Sequence, residues 1–91
     1  MEKAELVKLL KLDLTISTSA YDEYLGGLIE RAQEAIKREG IVLTDSVADS
    51  MIVVHYAAYL WRKRKGEDLA MPRSLRYELN NYYVTQKAAE E

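Results

Sequence analysis

The stretch DSVADSMIVVHYAAYLWRKRK, residues 45–65, contains the longest nearly apolar run of the chain. From Met51 to Trp61 only His55 interrupts this run, so apolar residues occupy almost every side of a helix. A helix of this kind is covered by the rest of its fold or by a partner. We therefore predict a central third helix over residues 45–65. The run is about half as long as a bilayer-spanning helix, so we expect no membrane segment.

Two shorter apolar patterns precede this helix. Leucines at helical spacing predict a first helix from Lys3 to about Leu12, followed by a loop over residues 13–19. An apolar stripe predicts a long second helix over residues 20–39. Ser19 suits its N-cap and Gly40 its left-handed stop.

Two adjacent glycines lie inside the second helix. Gly26 and Gly27 each cost about 1 kcal/mol relative to alanine in a helix interior. One interpretation is simple tolerance or a slight bend. The other is that a second helix or a neighbouring subunit approaches the bare backbone closely.

A fourth helix is predicted over residues 72–83, since Pro72 suits the first position of a helix. The polar residues 84–91 are predicted to form a flexible tail. The fold class is therefore predicted as all-α, a small four-helix bundle-like domain over residues 1–83 with a long second and third helix.

Composition limits the classes of function. The chain has 91 residues, enough for one domain, and its 13 basic and 15 acidic residues give a net charge of −2. A protein that coats nucleic acid generally carries an excess of basic residues, so this net charge argues against that class of protein. The absence of cysteine excludes disulfides, thiolate zinc sites and cysteine nucleophiles. The charged N-terminus has no apolar segment typical of a secretion signal.

Catalytic and metal-binding patterns are weak. The single histidine, His55, lies in the most apolar helix and has no evident partner as a base. A satisfied core or interface histidine is the simpler interpretation. Asp45 and Asp49 are explained by capping of the third helix. We expect no enzymatic activity, no cofactor and no bound metal.

Two groups of residues that include basic side chains are candidates for binding. Residues 62–65, RKRK, complement the helix dipole in the last turn, or they contact an acidic partner or DNA phosphates. In the fourth helix, Arg73, Arg76 and Asn80 share one side. Arginine and asparagine are residue types that read guanine and adenine edges, so this side is a candidate for DNA recognition.

Aromatic residues point towards a protein interface. The chain has seven tyrosines, one tryptophan and no phenylalanine. Tyrosine and tryptophan combine a large apolar body with a polar tip, which suits surfaces that become buried against a partner. Tyr56, Tyr59 and Trp61 cannot all enter one small core, and the adjacent Tyr82 and Tyr83 point to different sides. Core packing explains some of them, and a protein interface explains the surplus.

The order of these features resembles the phage head–tail connector family. The resemblance covers residues 5–83 and rests on four segments: LLKLD at 9–13, LGGLIERA at 25–32, YLWRKR at 59–64 and MPRSLRYELNNY at 71–82. One departure is the segment REGIVL at 38–43, where related chains often carry an aromatic residue and a Gly-Arg turn.

The resemblance implies a ring-forming structural protein. Such a ring lies beneath the portal at the capsid vertex, and its symmetry is expected to match a dodecameric portal. It extends the DNA channel and docks the next neck or tail protein. The tail, residues 84–91, would reach into the portal. The implied location is the virion neck, after a period in the bacterial host cytoplasm before assembly. DNA would only pass through the channel, and no membrane is involved.

We expect head-to-tail contacts within the ring, in which one face of a subunit meets a different face of its neighbour. Acidic residues of the second helix, such as Glu30 and Glu34, are expected to meet the basic run of the third. The candidate contact residues with another subunit or the portal are Tyr56, Tyr59, Trp61, Arg62, Lys63, Arg64, Lys65, Arg73, Arg76, Tyr82 and Tyr83.

Two alternatives remain beside the connector. One is a small DNA-binding regulator that uses the fourth helix. The other is a helical protein–protein interaction domain unrelated to phage, such as an antitoxin-like or adaptor domain.

Overall fold

Four helices make up the part of the chain that the structure describes. The computed structural model describes residues 2–63 and 70–90. In chain order the helices are α1 (Lys3–Leu14), α2 (Asp22–Arg38), α3 (Val47–Lys63) and α4 (Arg73–Glu90). These ranges contain no strand, so the prediction of a small all-α, four-helix bundle-like domain is confirmed.

The core forms where α1, α2 and α3 pack against one another. Each of these helices contacts the other two, and α4 packs on α3. Leu10 of α1, Ile29 of α2 and Val53 of α3 are completely buried. The apolar stripes that predicted these helices therefore supply the core. Among the described residues, the other buried apolar side chains are those of Leu6, Leu25, Leu28, Ala32, Ile36, Ile41, Ile52, Val54, Ala57, Ala58, Tyr59, Leu75 and Leu79.

The connection between α1 and α2 differs from its prediction. Helix α1 continues to Leu14 and ends at Thr15, whose left-handed φ of 56° closes the helix. Ser19 is not the N-cap of α2, because residues 19–21 form a turn in which the Ser19 carbonyl accepts the Asp22 amide at 3.2 Å. The N-cap is Tyr21, which provides no side-chain cap.

The two glycines of α2 have different surroundings. A Cβ added at Gly26, which is buried, would lie 3.6 Å from the side chain of Lys3. That side chain crosses Gly26 to reach Glu30, with Nζ and Oε1 2.8 Å apart. A Cβ added at Gly27 would meet no atom within 4 Å. Of these two glycines, only Gly26 therefore has its backbone covered by another part of the chain, the side chain of Lys3.

Helix α3 begins after a well-bonded connection. Gly40 has the predicted positive φ, at 89°, and Ile41 beyond it is buried. The Ser46 hydroxyl accepts the Asp49 amide at 3.1 Å, as an N-cap does. The helix starts at Val47, and its predicted end at residue 65 lies outside the described residues.

Helix α4 is longer than predicted. The predicted end at Tyr83 is wrong, because the helix continues to Glu90. Leu75 and Leu79 are buried on its inner side, and Tyr82 and Gln86 continue that side at helical spacing. The Gln86 side chain is polar, yet it exchanges two hydrogen bonds with the backbone of Val42, at 2.8 and 2.7 Å. Mobility of residues 84–91 remains a prediction.

Candidate protein-interaction surfaces

Helix α4 runs antiparallel to α3. Near its start, Glu78 Oε1 lies 3.1 Å from His55 Nδ1 in the middle of α3. Further along, the Tyr82 hydroxyl faces the carboxylate of Asp49 in the first turn of α3. The end of α4 therefore lies beside the start of α3, and this orientation defines two opposite ends of the domain.

Aromatic side chains cluster at the end of the domain where α3 finishes. The Trp61 ring packs edge-on against Tyr21 and Tyr24, with centroid distances of 5.4 and 6.0 Å. Trp61 is half-buried, and both tyrosines are 42% exposed. We call these three residues the aromatic end. They form one preorganised surface, because T-shaped contacts hold the rings in place.

Valines dominate the opposite end, where α3 begins. Val42 and Val47 are 66% and 81% exposed. Tyr83 of α4 contacts Gly40, since a Cβ added there would lie 3.0 Å from the tyrosine ring. We call Val42, Val47 and Tyr83 the valine end. Its backbone is fixed by the two hydrogen bonds between Gln86 and Val42.

A third apolar surface runs along the outer side of α4. Tyr77 and Val84 are 63% and 64% exposed and lie seven residues apart, on the same side of the helix. This side is opposite to the buried Leu75 and Leu79. Helix α4 is therefore apolar on two sides, although its own fold covers only one.

A buried carboxylate anchors the second half of α4. Asp49 is only 6% exposed, accepts hydrogen bonds from the Thr44 amide and hydroxyl at 2.6 and 2.9 Å, and faces the Tyr82 hydroxyl. Burial raises the pKa of Asp49, but these hydrogen bonds outweigh it and leave the pKa below 3.8. Burial, together with donation to Asp49, raises the pKa of Tyr82 to about 12. The network ties α4 to the start of α3.

The predicted aromatic contact residues divide between core and surface. Tyr59 is buried, at 9% exposed, and its ring packs edge-on against the half-buried Tyr56 at 6.0 Å. Lys63 Nζ lies 5.8 Å from the centre of the Tyr59 ring. Tyr59 therefore belongs to the core and offers a partner only its edge, whereas Trp61, Tyr82 and Tyr83 are at least partly exposed.

The predicted contact residues of the basic run, residues 62–65, have partners in the chain or lie outside the described residues. Arg62 Nη2 lies 3.8 Å from Oδ2 of Asp13 in α1. Arg64 and Lys65 fall outside the described residues. Glu30, expected to meet this run in a neighbour, pairs with Lys3 of its own chain.

The predicted DNA-reading side of α4 is partly occupied. Arg76 forms an ion pair with Glu39 and donates to the Asn80 side-chain oxygen at 3.2 Å. Arg73 is exposed. Two of the three predicted base-reading side chains therefore bond to each other, and this counts against base recognition by α4.

The single histidine, for which the sequence showed no partner, is paired with Glu78 in the structure. The His55–Glu78 pair lies in a shallow surface groove beside Arg62 and Pro72. In residues 2–63 and 70–90, no three histidine, aspartate or glutamate side chains are placed to hold a metal ion. No helix in the same ranges is long and apolar enough to cross a membrane.

Several exposed apolar residues escaped prediction. Val47 continues the helical spacing of Val54 and Ala58, which predicts a covered position, yet it is 81% exposed. In the apolar segment 41–43, which was expected to tuck under the core, Ile41 is buried but Val42 is exposed. Tyr77 and Val84 lie seven residues apart on the side of α4 opposite to its leucines, and this apolar spacing was a signal in the sequence.

No family model, no curated protein and no solved structure matches the chain.

Proposed function

We propose that the protein is a phage or prophage head–tail connector that assembles as a ring, without catalytic activity. One observation carries the proposal: large apolar side chains are exposed on separate surfaces at opposite ends of one small domain. A connector ring has to contact the portal on one side and the next neck or tail protein on the other. A domain with two docking ends suits that task.

The distance between the two ends fits a domain that bridges two partners. Val47 and Trp61 lie near the two ends of α3, and at 1.5 Å per residue the helix separates them by about 21 Å. Two different proteins can therefore bind without competing for one surface. The exposed side chains of Val42 and Val47 provide apolar surface that a partner would bury at this end.

Different apolar surfaces also favour a ring over a simple dimer. A twofold dimer uses the same surface on both subunits, whereas a ring joins two different surfaces. The outer side of α4 differs in shape and composition from the aromatic end and from the valine end. The proposal keeps Trp61, Tyr82 and Tyr83 as contact residues and gives Tyr59 a structural role in the core.

The alternative function, a protein–protein interaction domain unrelated to phage, would use the same exposed surfaces. It would differ from a connector only in the partner that it binds. The DNA-binding regulator is supported less, because Arg76 and Asn80 are bonded within the chain. A net charge of −2 also weakens attraction to phosphates.

The proposal is tested with portal rings of the same genome. We expect the protein to bind purified portal rings and to add a layer of density in electron micrographs. The double variant Val42→Ser, Val47→Ser tests the valine end, and Tyr21→Ser, Tyr24→Ser tests the aromatic end. Each pair should abolish a different contact, one with the portal and one with the neck protein. A wild-type protein that ignores portal rings but shifts a DNA duplex would overturn the proposal.

A further inference from the structure

Helix α4 is attached to the domain differently from the other three helices. Helices α1, α2 and α3 each pack against the other two, and their completely buried residues include Leu10, Ile29 and Val53. Helix α4 packs on α3, and over residues 73–89 its buried apolar side chains are those of Leu75 and Leu79. Burial of apolar surface is the main favourable contribution to folding, so releasing α4 alone removes much less of it than unfolding the whole domain.

Polar contacts near the start of α4 add to this attachment. Arg76 forms an ion pair with Glu39 at the end of α2, and Glu78 Oε1 lies 3.1 Å from His55 Nδ1 in α3. The four side chains are each at least 30% exposed, so water can replace these contacts at small cost in free energy.

Further polar contacts hold the end of α4. The Tyr82 hydroxyl faces the Asp49 carboxylate, and the Gln86 side chain exchanges two hydrogen bonds with the backbone of Val42. The polar contacts of α4 are therefore spread over its length, from Arg76 to Gln86. The last turns are held as well as the first, which favours release of the helix as a whole over unwinding from its end.

We propose that α4 is a conformational device that opens as one unit from a folded core of α1, α2 and α3. Most helical stability in proteins comes from tertiary packing, so α4 also loses its helical hydrogen bonds when it is released. The opening uncovers the side of α3 on which α4 packs and leaves the core intact. The inference does not depend on the connector function.

Native-state hydrogen exchange, measured by NMR on the whole chain, tests this opening. The amides of residues 77–86 should exchange roughly tenfold or more faster than those of Leu10, Ile29 and Val53. Their exchange should also respond less to low concentrations of urea, because the opening exposes less surface than global unfolding. Amides of α4 that exchange as slowly as those of the core would overturn the proposal.

Ile29→Val separates the opening from global unfolding. The change removes a methyl group from a core that is folded both before and after α4 opens. We expect core amides to exchange about two- to tenfold faster, and α4 amides to keep their wild-type rates. Equal acceleration of both sets would show that α4 and the core unfold together, which would overturn the proposal.

Glu39→Gln tests whether α4 opens as one unit. Because Glu39 pairs with Arg76 near the start of α4, its loss should speed exchange by one common factor, about two- to fivefold, along the helix as far as Gln86. Glu34→Gln, at an exposed position of α2, is the matched control and should leave these rates unchanged. Acceleration confined to the first turns of α4 would show that the helix does not open as one unit.

Discussion

The Tyr82 hydroxyl, which faces the Asp49 carboxylate, should stabilise the protein by donating a hydrogen bond to it, in a way that depends on pH. Tyr82→Phe removes the hydroxyl and leaves the buried carboxylate of Asp49 with Thr44 and Ser46 as its donors. A hydrogen bond to a charged group contributes about 1.5–3 kcal/mol. Since Tyr82 is only half-buried and water competes for its hydroxyl, we expect a loss near the lower limit, about 1.5 kcal/mol at pH 7.

The loss should shrink in acid. The folded-state pKa of Asp49 lies below its usual value, so its stabilising effect is present above the unfolded pKa of about 3.9 and is lost as the pH falls through the folded pKa. Removing the Tyr82 donor raises the folded pKa of Asp49. The difference in stability between wild type and Tyr82→Phe should therefore decrease as the pH falls from 7 to about 2.5.

Urea unfolding followed by circular dichroism measures this difference across the pH range. Tyr77→Phe is the matched control, because Tyr77 is 63% exposed and its change should stay within about 0.5 kcal/mol. A loss that is equal at pH 7 and pH 2.5 would refute the role of the carboxylate charge. No loss at pH 7 would refute the network itself.

Three further changes test how α4 and its neighbours are held. Leu79→Ala should lower the free energy of unfolding by about 2–5 kcal/mol in urea titrations, because Leu79 is fully buried. Gly40→Ala should lower the melting temperature, because the φ of Gly40 is 89° and the new Cβ would lie 3.0 Å from the Tyr83 ring. An unchanged melting temperature would contradict this contact. Gln86→Ala should speed hydrogen exchange of the Val42 amide, measured by NMR, because that amide loses its acceptor. An exchange rate equal to that of the wild type would show that the hydrogen bond between Val42 and Gln86 is absent in solution.

The helical core could be predicted because its signal is periodic. Leu25, Ile29 and Ile36 recur at the helical period, and all three are completely buried. The same rule failed at the end of α4, because Gln86 continues the inner side with a polar side chain that binds the Val42 backbone. Apolar periodicity cannot detect an anchor made of hydrogen bonds.

The candidate surfaces could be predicted only in part. The excess of tyrosine indicated an interface, but the sequence did not show that Tyr59 is buried while Tyr21 and Tyr24 are exposed. The ion pair between Arg76 and Glu39 joins residues far apart in the chain, so no local pattern reveals it. The exposed ends depend in the same way on how the helices pack.

Light scattering coupled to size exclusion tests the proposed ring most directly. The protein is measured over a wide concentration range, alone and with portal rings of the same genome, and large species are imaged by negative stain. We expect a closed species whose mass stops growing at about a dozen copies of the 10.5 kDa chain, either alone or on the portal. A monomer that keeps its mass at every concentration and ignores the portal would contradict the connector function.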